Sequence, residues 1–137
     1  MLLGREDDRD ASQAIEDALK RDMRQVINLV GHTDLVSFIG VIVNCTAFVA
    51  NDSGALHVAA ALGIPVVALY GPTSEQFSRP LFARQGADDR VITMSHDVFC
   101  RPCWLRDCPI DHRCMRRISP EQVYANVRSL IQQEIRA

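Results

Sequence analysis

Asn51–Thr73 reads NDSGALHVAAALGIPVVALYGPT, and its punctuation decides the fold class. Val66-Val67-Ala68-Leu69-Tyr70 is an unbroken apolar run between Pro65 and Gly71. That is the composition of a strand buried on both faces. The small-residue stretch from Ala55 to Leu62 reads as a helix, with Gly63 as its C-terminal cap. A shorter apolar run, Ala47 to Ala50, precedes the sharp break at Asn51-Asp52-Ser53-Gly54. Strand, tight turn, helix and strand in this order predict a Rossmann-like parallel sheet with helices on both faces, an α/β class.

The flanks extend the same alternation. Residues 2–4 read as the end of a strand. Asp10 to Asp22 reads as a helix, with Ala11, Ala14, Ile15, Ala18 and Leu19 on one face. Val26 to Val30 is a short β-rich run stopped by Gly31. Thr33 or Asp34 can cap a helix running from Leu35 to about Cys45. Beyond Thr73, residues 74–90 read as an irregular loop and Val91 to Thr93 as one more strand. Ser119-Pro120-Glu121-Gln122 is a helix start, with Ser as cap and Pro at the first position. Val123, Val127, Leu130 and Ile131 form the stripe of that last helix. The whole chain, 1–137, reads as one domain containing a Cys/Arg-rich loop at 95–118. A doubly wound domain normally opens with a whole strand, loop and helix, and that unit is expected to be absent here.

Composition sets outer limits. The chain has 137 residues, 47% hydrophobic and 23% charged, with a net charge of −2. That length supports a core without staples. The charge argues against a surface built for a nucleic-acid backbone. No apolar run is long enough to span a bilayer, and the acidic start MLLGREDDRD lacks a signal-peptide pattern. The cytoplasm is the expected location.

The turn after Asn51 carries the chemistry. Amides at Ser53, Gly54 and Ala55 fall at an open helix N-terminus, where unpaired N–H groups and the helix dipole favour an anion. Gly54 lets a phosphate approach the backbone. His57 lies one turn into the helix. Asp52 lies at the carboxyl end of a strand, where open α/β sheets bind ligands. The plain alternative is that Asp52 or Ser53 simply caps a helix and His57 is a surface residue.

NDSGALHVAAALGIPVVALYGPTS resembles the nucleotide-sugar-binding half of glycosyltransferase family 9, which contains the ADP-heptose:lipopolysaccharide heptosyltransferases. NLVGHTDLVSFIGVIVNCTAFVAND upstream and CRPCWLRDCPIDHRCMRRISPEQV downstream extend the likeness across nearly the whole chain. The resemblance implies the C-terminal, donor-binding half of a two-domain GT-B fold. It implies inverting transfer of heptose to the lipopolysaccharide inner core, with no cofactor required for catalysis. By position it implies Ser53 and Gly54 amides on the donor diphosphate, and Asp52 and His57 on the diphosphate-sugar region. Thr33 falls at the nucleotide base. Asp8 falls on the nucleoside, although the family's residue there is a longer glutamate. The partners implied are ADP-heptose or a similar nucleotide-sugar, with the acceptor held only through the missing domain. The place implied is the cytoplasm, peripheral at the inner membrane. The acceptor domain with its general base, and the lysine that grips the diphosphate, are expected to lie outside this sequence, leaving the chain inactive alone. Homodimerisation through an exposed sheet edge, or a companion chain, would fit such a fragment.

Cys100-x2-Cys103-x4-Cys108-x5-Cys114 can surround one tetrahedral structural zinc. Packed reduced thiols and an oxidised pair are the other readings, and Cys45 reads as a buried small hydrophobe. Arg101, Arg106, Arg113, Arg116 and Arg117 could meet lipopolysaccharide phosphates, or form a solvated basic loop. Trp104 reads as an anchor for the loop in the core, and His96 and His112 as surface residues. Three other functions compete: a catalytically silent nucleotide-binding module, a nucleotide-sugar epimerase-like fragment of the same fold, and a zinc-knuckle nucleic-acid binder. The acidic balance speaks against the last.

Overall fold

The computed structural model describes residues 1–81 and 90–136. The 82–89 part of the loop expected after Thr73 lies outside the described residues. The chain divides into two compact units, Met1–Val41 and Ile42–Ala137.

In the first unit, a single 3-10 turn, Glu6–Asp8, leads into α1, Arg9–Arg21. The two short runs expected as strands meet at one parallel bridge, Leu2 with Asn28. Leu2 N–H donates to Ile27 C=O and Leu29 N–H to Leu2 C=O. A pairing this narrow offers no wide sheet for the apolar stripe of α1. Ile15 is accordingly 48% exposed, and Ser12 is the buried residue of the helix. Polar groups hold α1 in place. Asn28 donates from one amide nitrogen to Ser12 Oγ at 3.2 Å and Glu16 Oε2 at 2.9 Å. Asp34 caps α2, Leu35–Val43, by accepting the Ser37 N–H at 2.8 Å. Of the two expected caps, Asp34 therefore takes the role.

The second unit holds the core. β1 (Phe48–Asn51), β2 (Val66–Tyr70) and β3 (Val91–Ser95) form a parallel sheet in the order β1-β2-β3. Phe48 pairs with Val66, and Val66 with Val91. Val66, Val67 and Ala68 are consecutive and all fully buried. Neighbouring residues of a strand face opposite ways, so both faces of β2 are covered.

α3, Gly54–Ala61, packs on β1 and β2 through Leu56, Ala59 and Ala60. The alanines bring its axis close to the sheet. It ends in a Schellman motif: Gly63, at φ +74°, donates to Ala60 C=O and Ile64 to Ala59 C=O. α4, Arg113–Arg116, packs on the end of β2 at Gly71, where a Cβ would stand 2.6 Å from Met115 Sδ. α5, Pro120–Arg136, follows and buries Leu130 against the sheet. Arg90, just before β3, links the end of α3 to α5, donating to Gly63 C=O at 2.8 Å and pairing with Glu134 at 3.1 Å.

Candidate functional site

The carboxyl ends of β1 and β2 open onto two turns, 52–53 and 71–74. β1 pairing continues one step past the strand, with Asp52 N–H donating to Leu69 C=O at 3.1 Å. The chain then bends through Ser53, whose extended backbone (φ −157°, ψ 169°) sets the entry to α3. The first intrahelical bond joins His57 N–H to Ser53 C=O at 3.5 Å. The amides of Gly54, Ala55 and Leu56 precede it and have no acceptor within the helix. Ser53 makes no side-chain cap, so its hydroxyl does not occupy them. Ser53 and Gly54 are exposed, and a Cβ on Gly54 would meet nothing within 4 Å. Neither Ser53, which makes no side-chain cap, nor Asp52, whose carboxylate accepts from Ser78, is seen capping this helix end.

Asp52, by contrast, is held. Its side chain is 12% exposed. Its Oδ2 accepts the Ser78 hydroxyl at 2.7 Å, and its Oδ1 lies 3.8 Å from His57 Nε2. The His57 contact is beyond hydrogen-bond reach and becomes an ion pair when the imidazole is protonated. Ser78 is in turn fixed from two sides. Its N–H donates to Ser74 C=O at 3.0 Å, and its own C=O accepts from Tyr70 Oη at 2.9 Å. Burial pushes the Tyr70 phenol above its ordinary range, and the Asp52 and Glu75 carboxylates push the same way. Tyr70 thus stays protonated and donates. Ser74, Ser78 and Tyr70 were not legible as site residues. Ser78 stands 26 positions from Asp52, and no periodicity reports such a contact.

The remaining sequence candidates sort as follows. Asp52, Ser53, Gly54 and His57 lie together at the start of α3. Asp8 and Thr33 belong to the first unit. The Asp8 carboxylate accepts the Arg5 N–H at 2.9 Å and closes the 3-10 turn, and Thr33 is half-buried just before α2.

The arginines beside the cysteines divide. Arg101 is not a solvated basic residue: its side chain is 8% exposed, donates to Gly71 C=O at 2.8 Å, and pairs with Glu75. Burial raises the Glu75 carboxyl, but the bonds from Arg101 and Ser95 outweigh it, so Glu75 sits below its ordinary value. Arg113 pairs with Asp111 at 2.9 Å and lies over the Phe99 ring. Trp104 is not in the core; it is 53% exposed and stands edge-on to Phe77, itself 80% exposed. Two turns with φ +59° at Trp104 and +54° at His112 give this segment an irregular path that leaves the indole outside. Cys100, Cys103, Cys108 and Cys114 line one cavity, yet among the described residues no three His, Cys, Asp or Glu converge as they would around an ion. Among the described residues, no helix is long and apolar enough to cross a membrane.

The chain is similar to known proteins. The family described as Glycosyltransferase family 9 (heptosyltransferase) matches residues 1–112. Lipopolysaccharide heptosyltransferase 2 of Salmonella typhimurium is 36% identical over 135 residues, covering 98% of this chain and 37% of that protein. Lipooligosaccharide heptosyltransferase 2 of Haemophilus influenzae is 46% identical over 81 residues, 58% of this chain and 23% of that one. The solved structure of E. coli ADP-heptose lps heptosyltransferase II superposes with a TM-score of 0.76 at 33% identity, over 97% of this chain and 36% of that chain. The matched part of the chain thus spans between 23% and 37% of the length of these relatives. Its parallel α/β sheet is the sheet of their GT-B-like fold. On the family match over residues 1–112 and on the likeness to heptosyltransferase 2 over 98% of this chain, the chain belongs to glycosyltransferase family 9.

Proposed function

We propose that this chain is the donor-binding part of a heptosyltransferase of lipopolysaccharide core synthesis, and that the start of α3 holds the diphosphate of ADP-heptose or a similar nucleotide-sugar. The observation that carries this reading is the open amide end at Gly54 and Ala55 beside a carboxylate fixed in place. Unpaired N–H groups at a helix start, with the positive end of the helix dipole, stabilise the two charges of a diphosphate. They also stabilise the further charge that develops as the sugar leaves.

Asp52 cannot itself approach a diphosphate favourably, since both are anionic. Held by Ser78, it points instead to the sugar hydroxyls or to His57, which can bridge carboxylate and phosphate when protonated. Asp8 and Thr33 would meet the nucleoside. The transfer needs no cofactor in this scheme. It does need a base for the acceptor hydroxyl, and in this reading the base and acceptor site belong to the portion of the relatives that this chain does not span. The chain alone then binds donor weakly and does not turn over. Its place is the cytoplasmic side of the inner membrane, next to the lipid-borne acceptor.

Calorimetry with ADP-heptose, ADP and UDP tests the reading. Binding of ADP-heptose and ADP in the millimolar range, with UDP weaker, supports it. Equal binding of all three, or of none while the protein is folded, refutes it.

A further inference from the structure

The plane of an aspartate carboxylate turns easily, because rotation about its sp³–sp² bond is broad. A carboxylate free to turn addresses no single ligand group. Asp52 is not free to turn. The Ser78 hydroxyl has one proton and two acceptors in reach, Asp52 Oδ2 at 2.7 Å and Ser74 C=O at 3.0 Å. The nearer, charged oxygen is the stronger acceptor. That bond fixes Oδ2. Oδ1 lies toward His57 Nε2, 3.8 Å away and beyond hydrogen-bond reach, and is the oxygen left for a ligand.

Ser78 is itself held in place. Its N–H donates to Ser74 C=O at 3.0 Å, and its C=O accepts from Oη of Tyr70, which is fully buried at the end of β2. The turn between Tyr70 and Ser78 is braced by the cysteine segment. Arg101 Nε donates to Gly71 C=O at 2.8 Å, and its guanidinium pairs with Glu75. The N–H groups of Cys103 and Trp104 both donate to Pro72 C=O, at 2.9 and 3.0 Å. The Cys/Arg-rich segment therefore supports the turn from which Ser78 reaches Asp52.

We propose that Ser78 is a positioning residue: it sets the Asp52 carboxylate so that Oδ1 meets a hydroxyl of the donor's sugar, and it thereby separates a nucleotide-sugar from the bare nucleoside diphosphate. The assignment rests on the donor reading proposed above. A nucleoside diphosphate without a sugar offers Oδ1 no hydroxyl at this place, and its phosphates address the amide end of α3 instead.

Dissociation constants for ADP-heptose and ADP, read from amide shifts of the folded chain, test the assignment in wild type, Ser78→Ala and Ser78→Thr. Ser78→Ala should weaken ADP-heptose at least about threefold while ADP stays within about twofold of wild type, the scale of one hydrogen bond. Ser78→Thr keeps the hydroxyl and should bind ADP-heptose as wild type does. A collapsed turn would instead weaken both ligands alike. Equal loss of both ligands, no loss of either, or Ser78→Thr as weak as Ser78→Ala overturns the role of Ser78, while ADP binding by wild type leaves the donor reading standing. Wild type that binds neither nucleotide while folded refutes the donor reading, and the role of Ser78 with it.

Discussion

Gly54 occupies the first position of α3, where a backbone N–H has no helical acceptor. Proline is tolerated there, its fixed φ suits the helix, and the extended backbone of Ser53 is what a residue before proline requires. The space around Gly54 is empty. Gly54→Pro therefore removes one amide donor from the proposed diphosphate site with little strain. The expected outcome is a stability within about 1 kcal/mol of wild type and a clear loss of ADP affinity, read by thermal unfolding and calorimetry. Unchanged ADP affinity would show that this amide does not touch the ligand. Glu75 makes a prediction of a different kind. Its folded carboxyl lies below the ordinary value of 4.5. The Arg101–Glu75 pair therefore adds stability that is complete above that value and lost as pH falls through the lower folded value. Wild type should melt above Glu75→Gln at neutral pH, with the gap closing on acidification below about 4.5. A gap that persists or widens in acid would contradict the pairing.

At the scale of elements, what the sequence made legible follows from how each element is stabilised. Val66–Tyr70 is legible to the residue because both of its faces are buried, so apolarity runs without a break. The sequence pattern places α3 one position late, at Ala55–Leu62 against Gly54–Ala61, because an N-terminal glycine has the composition of a turn. β3 extends to Ser95 rather than Thr93, since its end alternates exposed polar Thr93 and Ser95 around half-buried Met94. The run Val26–Val30 looked like a strand but makes only the Asn28 bridge; β-branched composition does not supply a partner. α4 was invisible inside the cysteine segment, being a single turn. The amide end of α3 was legible from its turn chemistry, whereas the Ser78 clamp on Asp52 and the burial of Arg101 are long-range side-chain contacts with no local pattern. α3 also sets the stability of the sheet edge. Leu56 is fully buried where the helix meets β1 and β2, so Leu56→Ala should cost about 2–5 kcal/mol in denaturant unfolding. A cost under 1 kcal/mol would mean that the helix is not docked as described.

Across the whole molecule, the second unit carries the sheet, the amide end and the clamped carboxylate, and the first carries Asp8 and Thr33. Membership of glycosyltransferase family 9 comes with a chain that covers 37% of the Salmonella relative. In the proposed scheme the donor side is here and the general base is elsewhere. The chain alone should show no heptose transfer to a lipopolysaccharide acceptor in a radiolabel assay, and sustained turnover would contradict that division of labour. The central claim, that the turn after Asn51 grips a diphosphate, is most directly read by amide chemical shifts during titration with ADP. Saturable shifts are expected at Ser53, Gly54, Ala55 and His57, with those that remain much reduced in Gly54→Pro. Saturable shifts confined to other residues, or none at all from the folded chain at millimolar ADP, would contradict it.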